Sequence, residues 1–157
     1  MKVNFITAMR KLAYPVSILS TKQRGLNFAI TVSSVTSLSV EPPTLIACVN
    51  KASSFSQTLE VDALININYL ATGQKEIASI CSSREKSSQR FANGYWSFDD
   101  NETPFLKDSQ AVVFCSIAQT LDYATHKIVI LNVNNTFLSS VNDPDPLLYC
   151  DGEYRNL

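Results

Sequence analysis

The run Ala29-Ile-Thr-Val-Ser-Ser-Val-Thr-Ser-Leu-Ser-Val40 is where chemistry is densest in this sequence. Its hydroxyl side chains do not keep one phase. Thr31 and Ser33 share a face, Ser34 and Thr36 slip to the other, and Ser37 and Ser39 slip again. A regular strand holds its polar residues on one face by a period of two. Two slips therefore imply bulges or a turn, with backbone amides released from the ladder and hydroxyls on both sides. Such a segment is either a Ser/Thr-rich rim strand or a cradle of small donors for a polar group. Beyond the rigid Glu41-Pro42-Pro43, an apolar run Thr44–Asn50 emerges into Lys51-Ala52-Ser53-Ser54 and then Phe55–Leu59. Ser53 or Ser54 suits a helix N-cap, and the N–H groups behind it, with Lys51 alongside, describe a simple anion site.

Few other chemistries can be written. His126 is the single histidine, so multi-histidine metal centres and paired-histidine acid–base schemes are excluded, and no metal is expected. The four cysteines, Cys48, Cys81, Cys115 and Cys150, lie far apart without CxxC spacing and mostly in apolar contexts, which suits buried, inert thiols. The four glycines form neither GxGxxG nor a Walker A loop, so a phosphate would rest on hydroxyls, amides and a helix terminus. A net charge of −1 lacks the basic footprint of a nucleic-acid binder. No apolar stretch reaches the ~18 residues of a membrane span. The N-terminal residues lack a signal-peptide core, which points to the cytoplasm.

The elements that must position these groups are mostly strands. Pro15–Ser20, Phe28–Val40, Thr44–Asn50, Ala63–Leu70, Ala111–Leu121, His126–Leu138 and Leu147–Tyr149 are β-branched runs. Phe5, Ile6, Met9, Leu12 and Ala13 fall on one helical face, predicting a short amphipathic helix. Further short helices are expected at Phe55–Leu59 and Gln74–Ser82. Without strand–helix alternation, these 157 residues read as one mainly β domain, an antiparallel barrel with a few short peripheral helices. The polar stretch from Ser82 to Asp108 is too long for a turn and reads as a binding loop or lid. Its Phe91, Tyr95, Trp96 and Phe98 need something to pack on. Asp151-Gly152 marks a hairpin-like turn.

Taken in order, Ala8-Met-Arg-Lys-Leu12, Thr31-Val-Ser-Ser-Val-Thr-Ser37, Glu41-Pro-Pro-Thr-Leu-Ile-Ala-Cys-Val-Asn-Lys51, Arg90-Phe91, Trp96, Ala124-Thr-His126 and Leu147-Leu-Tyr149 resemble the short-chain flavin reductases. These are the reductase components of two-component flavin monooxygenases of the 4-hydroxyphenylacetate 3-monooxygenase type. The resemblance spans Phe5 to Tyr154. It implies a split β-barrel homodimer that binds FMN or FAD, uses NADH or NADPH, and supplies reduced flavin to a monooxygenase partner. It also implies roles. Thr31, Val32, Ser33 and Ser34 would line the flavin ring, with Thr36 and Ser37 nearby. Cys48, Val49, Asn50, Lys51, Ser53 and Ser54 would wrap the ribityl chain and phosphate, with Ser82, Arg90 and Phe91 at the outer portion. His126 would contact the nicotinamide as the catalytic residue, and Tyr154 would lie near the donor. Ala124 stands where that family often has glycine, a place where the backbone calls for positive φ. Cys81-Ser82 replaces a common Phe-Ala-Gly, which leaves FMN against FAD open.

The implied reaction is hydride transfer from nicotinamide to flavin, chemistry owned by the two rings. The protein's part is to stack them and to place donors where charge gathers. Two rivals share the barrel: a flavin-binding module without donor reduction, and a pyridoxamine-phosphate-oxidase-like enzyme. The latter needs several basic residues at its phosphate site, where only Lys51 is expected.

Overall fold

The computed structural model describes residues 1–140 and 143–157. Helix α1 (Lys2–Arg10) opens the chain. Strands β1 (Tyr14–Pro15), β2 (Ser17–Gln23), β3 (Leu26–Val32), β4 (Thr36–Val40), β5 (Pro43–Asn50) and β6 (Leu64–Tyr69) follow, and then helix α2 (Lys75–Ser82). The remainder is β7 (Trp96–Phe98), β8 (Pro104–Leu106), β9 (Ala111–Tyr123), β10 (His126–Leu138), β11 (Leu148–Cys150) and β12 (Glu153–Arg155). Seven strands form one antiparallel sheet in the order β3-β2-β6-β9-β10-β5-β4. This is the antiparallel split barrel the sequence predicts.

The expected continuous strand Phe28–Val40 is instead two strands at opposite edges of that sheet. Residues 33–35 are the whole link between them. The first phase slip of the hydroxyls is this crossing. The second is a register shift between Ser37 and Ser39 in the β4–β5 ladder. The ladder pairs Thr36 with Ile46, so the same register carried two residues further sets Ser34 opposite Cys48. There the side chain does the ladder's work. Ser34 Oγ donates to the Cys48 carbonyl at 2.8 Å, and the Cys48 amide donates to Ser34 Oγ at 3.1 Å.

Alternate residues of the strands fill the interior. Leu19, Leu45, Ala47, Val49, Ile65, Ile67, Val113, Ile117, Val129 and Leu131 meet there, with Phe55 from a short 3₁₀ turn. A second core lies on the outer face of β2 and β3. Val16, Ile18 and Ala29 pack there under Ile77, Ala78 and Cys81 of α2 and against Leu106 and Leu147. β2 is buried on both faces because it separates the two cores, which hides any amphipathic signal.

The segment from Ser82 to Asp108, expected as a binding loop or lid, is docked on the fold over much of its length. It carries a 3₁₀ turn at Ser87–Gln89 and a docked hairpin, β7–β8. Phe91 and Trp96 pack on the second core, with ring centroids 4.8 Å apart, whereas Tyr95 and Phe98 remain exposed. The hairpin is held by amides. β6 reads Ile-Asn-Ile-Asn, with both isoleucines in the first core and Asn66 and Asn68 buried on the opposite face. Asn68 Nδ2 donates to the Ile18 carbonyl at 2.9 Å, and Asn68 Oδ1 accepts from the Leu106 amide at 2.7 Å. Asn66 Nδ2 reaches Asp99 Oδ2 at 3.0 Å, and Ser20 Oγ donates to the Pro104 carbonyl at 2.6 Å.

Helix α1 ends at Arg10, short of the predicted Leu12–Ala13, and none of its residues is buried. Phe5, Ile6, Met9 and Leu12 border an open cavity of about 430 Å³ with Tyr14, Ser33 and Tyr149. Arg10 fixes the helix to the last hairpin, donating to Asp151 Oδ1 and to the Asp151 carbonyl, both at 3.0 Å.

The Asn68→Ala variant strands the buried Leu106 N–H. Since an unsatisfied buried group costs ~1–3 kcal/mol and the lost bonds add to it, the expected destabilisation is about 2–4 kcal/mol. Equilibrium unfolding in urea measures it, and a loss below half a kcal/mol would contradict this docking.

Candidate functional site

A cavity of about 280 Å³ opens where the end of β5, the end of α2 and the segment after α2 converge on β3. Its polar lining comes from Asn50, Ser53, Ser54, Ser82, Arg84 and Arg90, its apolar lining from Ile30, Ala52, Phe55 and Cys81. No carboxylate lines it, and among the described residues neither arginine makes an ion pair.

The loop after β5 is wound tightly. Asn50 Oδ1 accepts from the Ala52 amide at 2.9 Å, and Ser53 Oγ donates to the Asn50 carbonyl at 2.7 Å. Ser53 occupies the N-cap position of the 3₁₀ turn Ser54–Thr58 but makes no side-chain cap bond. The Ser53 hydroxyl is spent backwards on Asn50, so it leaves the first amides of the turn without a side-chain cap. Buried Phe55 anchors the turn in the first core. Lys51 also departs from expectation. It does not line the cavity; its amine lies 3.9 Å from Asp122, which also holds Lys127 at 3.1 Å.

The charge comes from the arginines. Arg90 Nη1 donates to the Ala29 carbonyl and Nη2 to the Ser83 carbonyl, each at 3.0 Å, which ties β3 to the exit of α2. Its Nε is buried without a partner. Arg84 Nη2 donates to the Ala52 carbonyl at 3.2 Å, reaching across the mouth to the β5 loop. Sequence reasoning missed Ile30, Phe55 and Arg84 as lining residues. The available signal was two arginines within one polar stretch behind a helix.

Other predicted residues take different places. Thr31 Oγ1 donates to the Ala78 carbonyl at 2.7 Å and so seats α2. Val32 packs on the first core, Val49 lies inside it, and Cys48 bonds through its backbone to Ser34, outside the cavity lining. Ser33 faces the cavity beneath α1. Thr36 and Ser37 are exposed on the edge strand β4. Phe91 packs on Trp96, and Trp96 Nε1 donates to the Arg90 carbonyl at 2.5 Å. Burial is the main cause pushing the Tyr154 phenol up, with Ser82 acting in the opposite sense; its ring meets Tyr149 edge-on at 5.5 Å.

His126 is exposed at the start of β10. It pairs in register with Asn50, and its Nδ1 lies 2.9 Å from Thr125 Oγ1. The Lys51 amide donates to the Thr125 carbonyl at 3.0 Å, which joins this turn to the cavity loop. Ala124, in the same turn, has φ of 46°. The left-handed backbone that the missing glycine implied is present.

Residues 9–157 match the family described as flavin reductase like domain. The chain belongs to the flavin reductase-like family. It is 32% identical over 153 residues to FMN reductase (NADH) RutF 1 of Methylorubrum extorquens, covering 98% of this chain and 75% of that one. It is 29% identical over 153 residues to the reductase component of the FADH(2)-dependent resorcinol hydroxylase of a Rhizobium species, covering 96% and 84%. The crystal structure of an Arthrobacter flavin reductase domain protein superimposes with a TM-score of 0.91 at 25% identity, covering 100% of this chain and 96% of that one. This family match, rather than a count of basic residues, sets the pyridoxamine-phosphate-oxidase-like reading aside.

Two tests follow from the local chemistry. Removing the Cβ at Ala124 relieves a left-handed conformation costing roughly 1–2 kcal/mol, offset in part by glycine's greater unfolded entropy. Ala124→Gly is expected to stabilise by about 0.5–1 kcal/mol in thermal unfolding. Burial pushes the thiols of Cys81 and Cys115 up to about 12. The unfolded thiols release their protons near pH ~8.5, so this contribution is present below that pH and is lost as pH rises toward 12. At pH ~8.5 a thiol reagent is expected to modify the half-buried Cys48 and Cys150 first, and Cys81 and Cys115 only after unfolding. Four equally fast thiols would contradict it.

Proposed function

We propose that this chain is an NAD(P)H-dependent flavin reductase that binds FMN or FAD and passes reduced flavin to a partner monooxygenase. The observation that carries the reading is the carboxylate-free cavity with two arginines, in a chain of the flavin reductase-like family. Its donor set fits an anionic, hydroxylated tail: guanidinium groups and serines for phosphate, Asn50 for sugar-like hydroxyls. Among the described residues no ion pair neutralises the Arg90 guanidinium, and its Nε is buried without a partner.

Arg84, Arg90 and Ser54 would hold the phosphoryl tail, with Ser53 and Ser82 lining the same wall. The amides of residues 33–35, outside both ladders, would face the polar edge of the ring, where donors stabilise gathering negative charge. When bound, the flavin supplies the redox chemistry by accepting a hydride from the nicotinamide donor. His126 would orient the donor, since its strand register places it beside Asn50 at the cavity loop. Tyr154 packs on the second core beside Cys81, which lines the cavity. A homodimer would give the apolar side of α1, with Phe5 63% and Ile6 48% exposed, a surface to meet.

The purified protein with FMN is expected to oxidise NADH, followed as loss of nicotinamide absorbance. His126→Ala should raise the NADH KM about three- to tenfold, the worth of one hydrogen bond, while flavin affinity stays within about twofold. A yellow protein that leaves NADH untouched would identify a binding module instead, and unchanged kinetics in the variant would remove His126 from the donor site.

A further inference from the structure

We propose that Arg84 makes the site selective for a flavin ending in a terminal phosphate monoester over one extended into a dinucleotide. The inference rests on the flavin-reductase reading and deepens it.

Three observations carry it. The cavity of about 280 Å³ falls just below the ~300–1,000 Å³ of pockets that engulf whole drug-sized ligands, the scale of a flavin's phosphorylated tail. The two cations that line it are held differently. Arg90 has both terminal nitrogens on backbone carbonyls and is locked in the wall. Arg84 is exposed and makes one bond, from Nη2 to the Ala52 carbonyl at 3.2 Å, which strings its guanidinium between the two loops at the mouth. Its remaining donors are free for an anion at that position, because no carboxylate among the described residues pairs with it.

A phosphate monoester carries about −1.5 to −2 charge near pH 7 and three terminal oxygens, which match a guanidinium fork. In a dinucleotide each phosphate of the pyrophosphate is doubly substituted and carries a single charge, and a chain continued past the Ala52 side of the mouth would meet the Arg84 side chain. Arg84 therefore rewards the mononucleotide and obstructs the longer flavin. Lysine at this position would keep the charge and lose the fork.

The test is the dissociation constant of FMN, FAD and riboflavin for the full chain, read from flavin fluorescence, in wild type, Arg84→Ala and Arg84→Lys. Wild type is expected to bind FMN more tightly than FAD. Arg84→Ala should weaken FMN about tenfold or more, the scale of a lost charge-assisted bond, with riboflavin changed less than about twofold and the FMN preference over FAD abolished. Arg84→Lys should recover part of the FMN affinity. The proposal is overturned if Arg84→Ala leaves the FMN/FAD ratio unchanged, or weakens FMN and riboflavin equally. Wild type that binds none of the three flavins would overturn the flavin-reductase reading itself, a result distinct from an unchanged ratio. Arg84 is solvent-facing, so a matched thermal midpoint confirms that the variants fold.

Discussion

The structure depends on a gap that backbone pairing cannot close. β3 and β4 are consecutive in the chain yet lie at the two edges of one sheet, and residues 33–35 are too few to pair with anything while crossing between them. Ser34 supplies what the backbone cannot, with one hydroxyl that both donates to and accepts from Cys48. A larger or apolar residue there would leave the Cys48 amide and carbonyl unsatisfied at a half-buried position, where each orphan costs ~1–3 kcal/mol. The cavity loop begins two residues beyond Cys48, so this crossing also sets where Asn50 and Ser53 stand.

The sequence revealed this crossing in outline. The phase slips in the hydroxyl run mark the break between strands and the bulge after Ser37, since period-two alternation cannot survive either. It did not reveal that the two halves part to opposite edges, because pairing partners are set by contacts remote in sequence. β5, β6 and β10 were legible from their β-branched runs. The hairpin β7–β8 was not, since its docking uses Asn66 and Asn68, and asparagine in a strand pattern resembles solvent exposure. The resemblance placed Asn50, Ser53, Ser54, Ser82 and Arg90 near a tail site, and the geometry gathers those five at one cavity. Lys51 does not line that cavity, and its amine stands 3.9 Å from Asp122, a neighbour that no local pattern announces. Arg84 was overlooked because nothing local distinguishes a cation at a mouth from one in solvent.

Two kinds of glue hold the two faces of the sheet. Inside, aliphatic side chains of five strands and Phe55 exclude water in the ordinary way. Outside, α2 is seated partly by Thr31 on the Ala78 carbonyl, and the hairpin by amide side chains. Such polar seats demand geometry that aliphatic contacts tolerate losing, so they specify position more than they add stability.

The Trp96 indole bond to the Arg90 carbonyl links the hairpin to the cavity wall. Peripheral elements seated partly by polar contacts open at lower free energy than a barrel's interior. A partial opening that lifts the hairpin would carry away the support of Arg90 and release its grip on Ala29, while the strands beneath stay intact. Heat or denaturant would thus erase anion recognition first and architecture second, leaving a folded but chemically blank barrel between the two transitions.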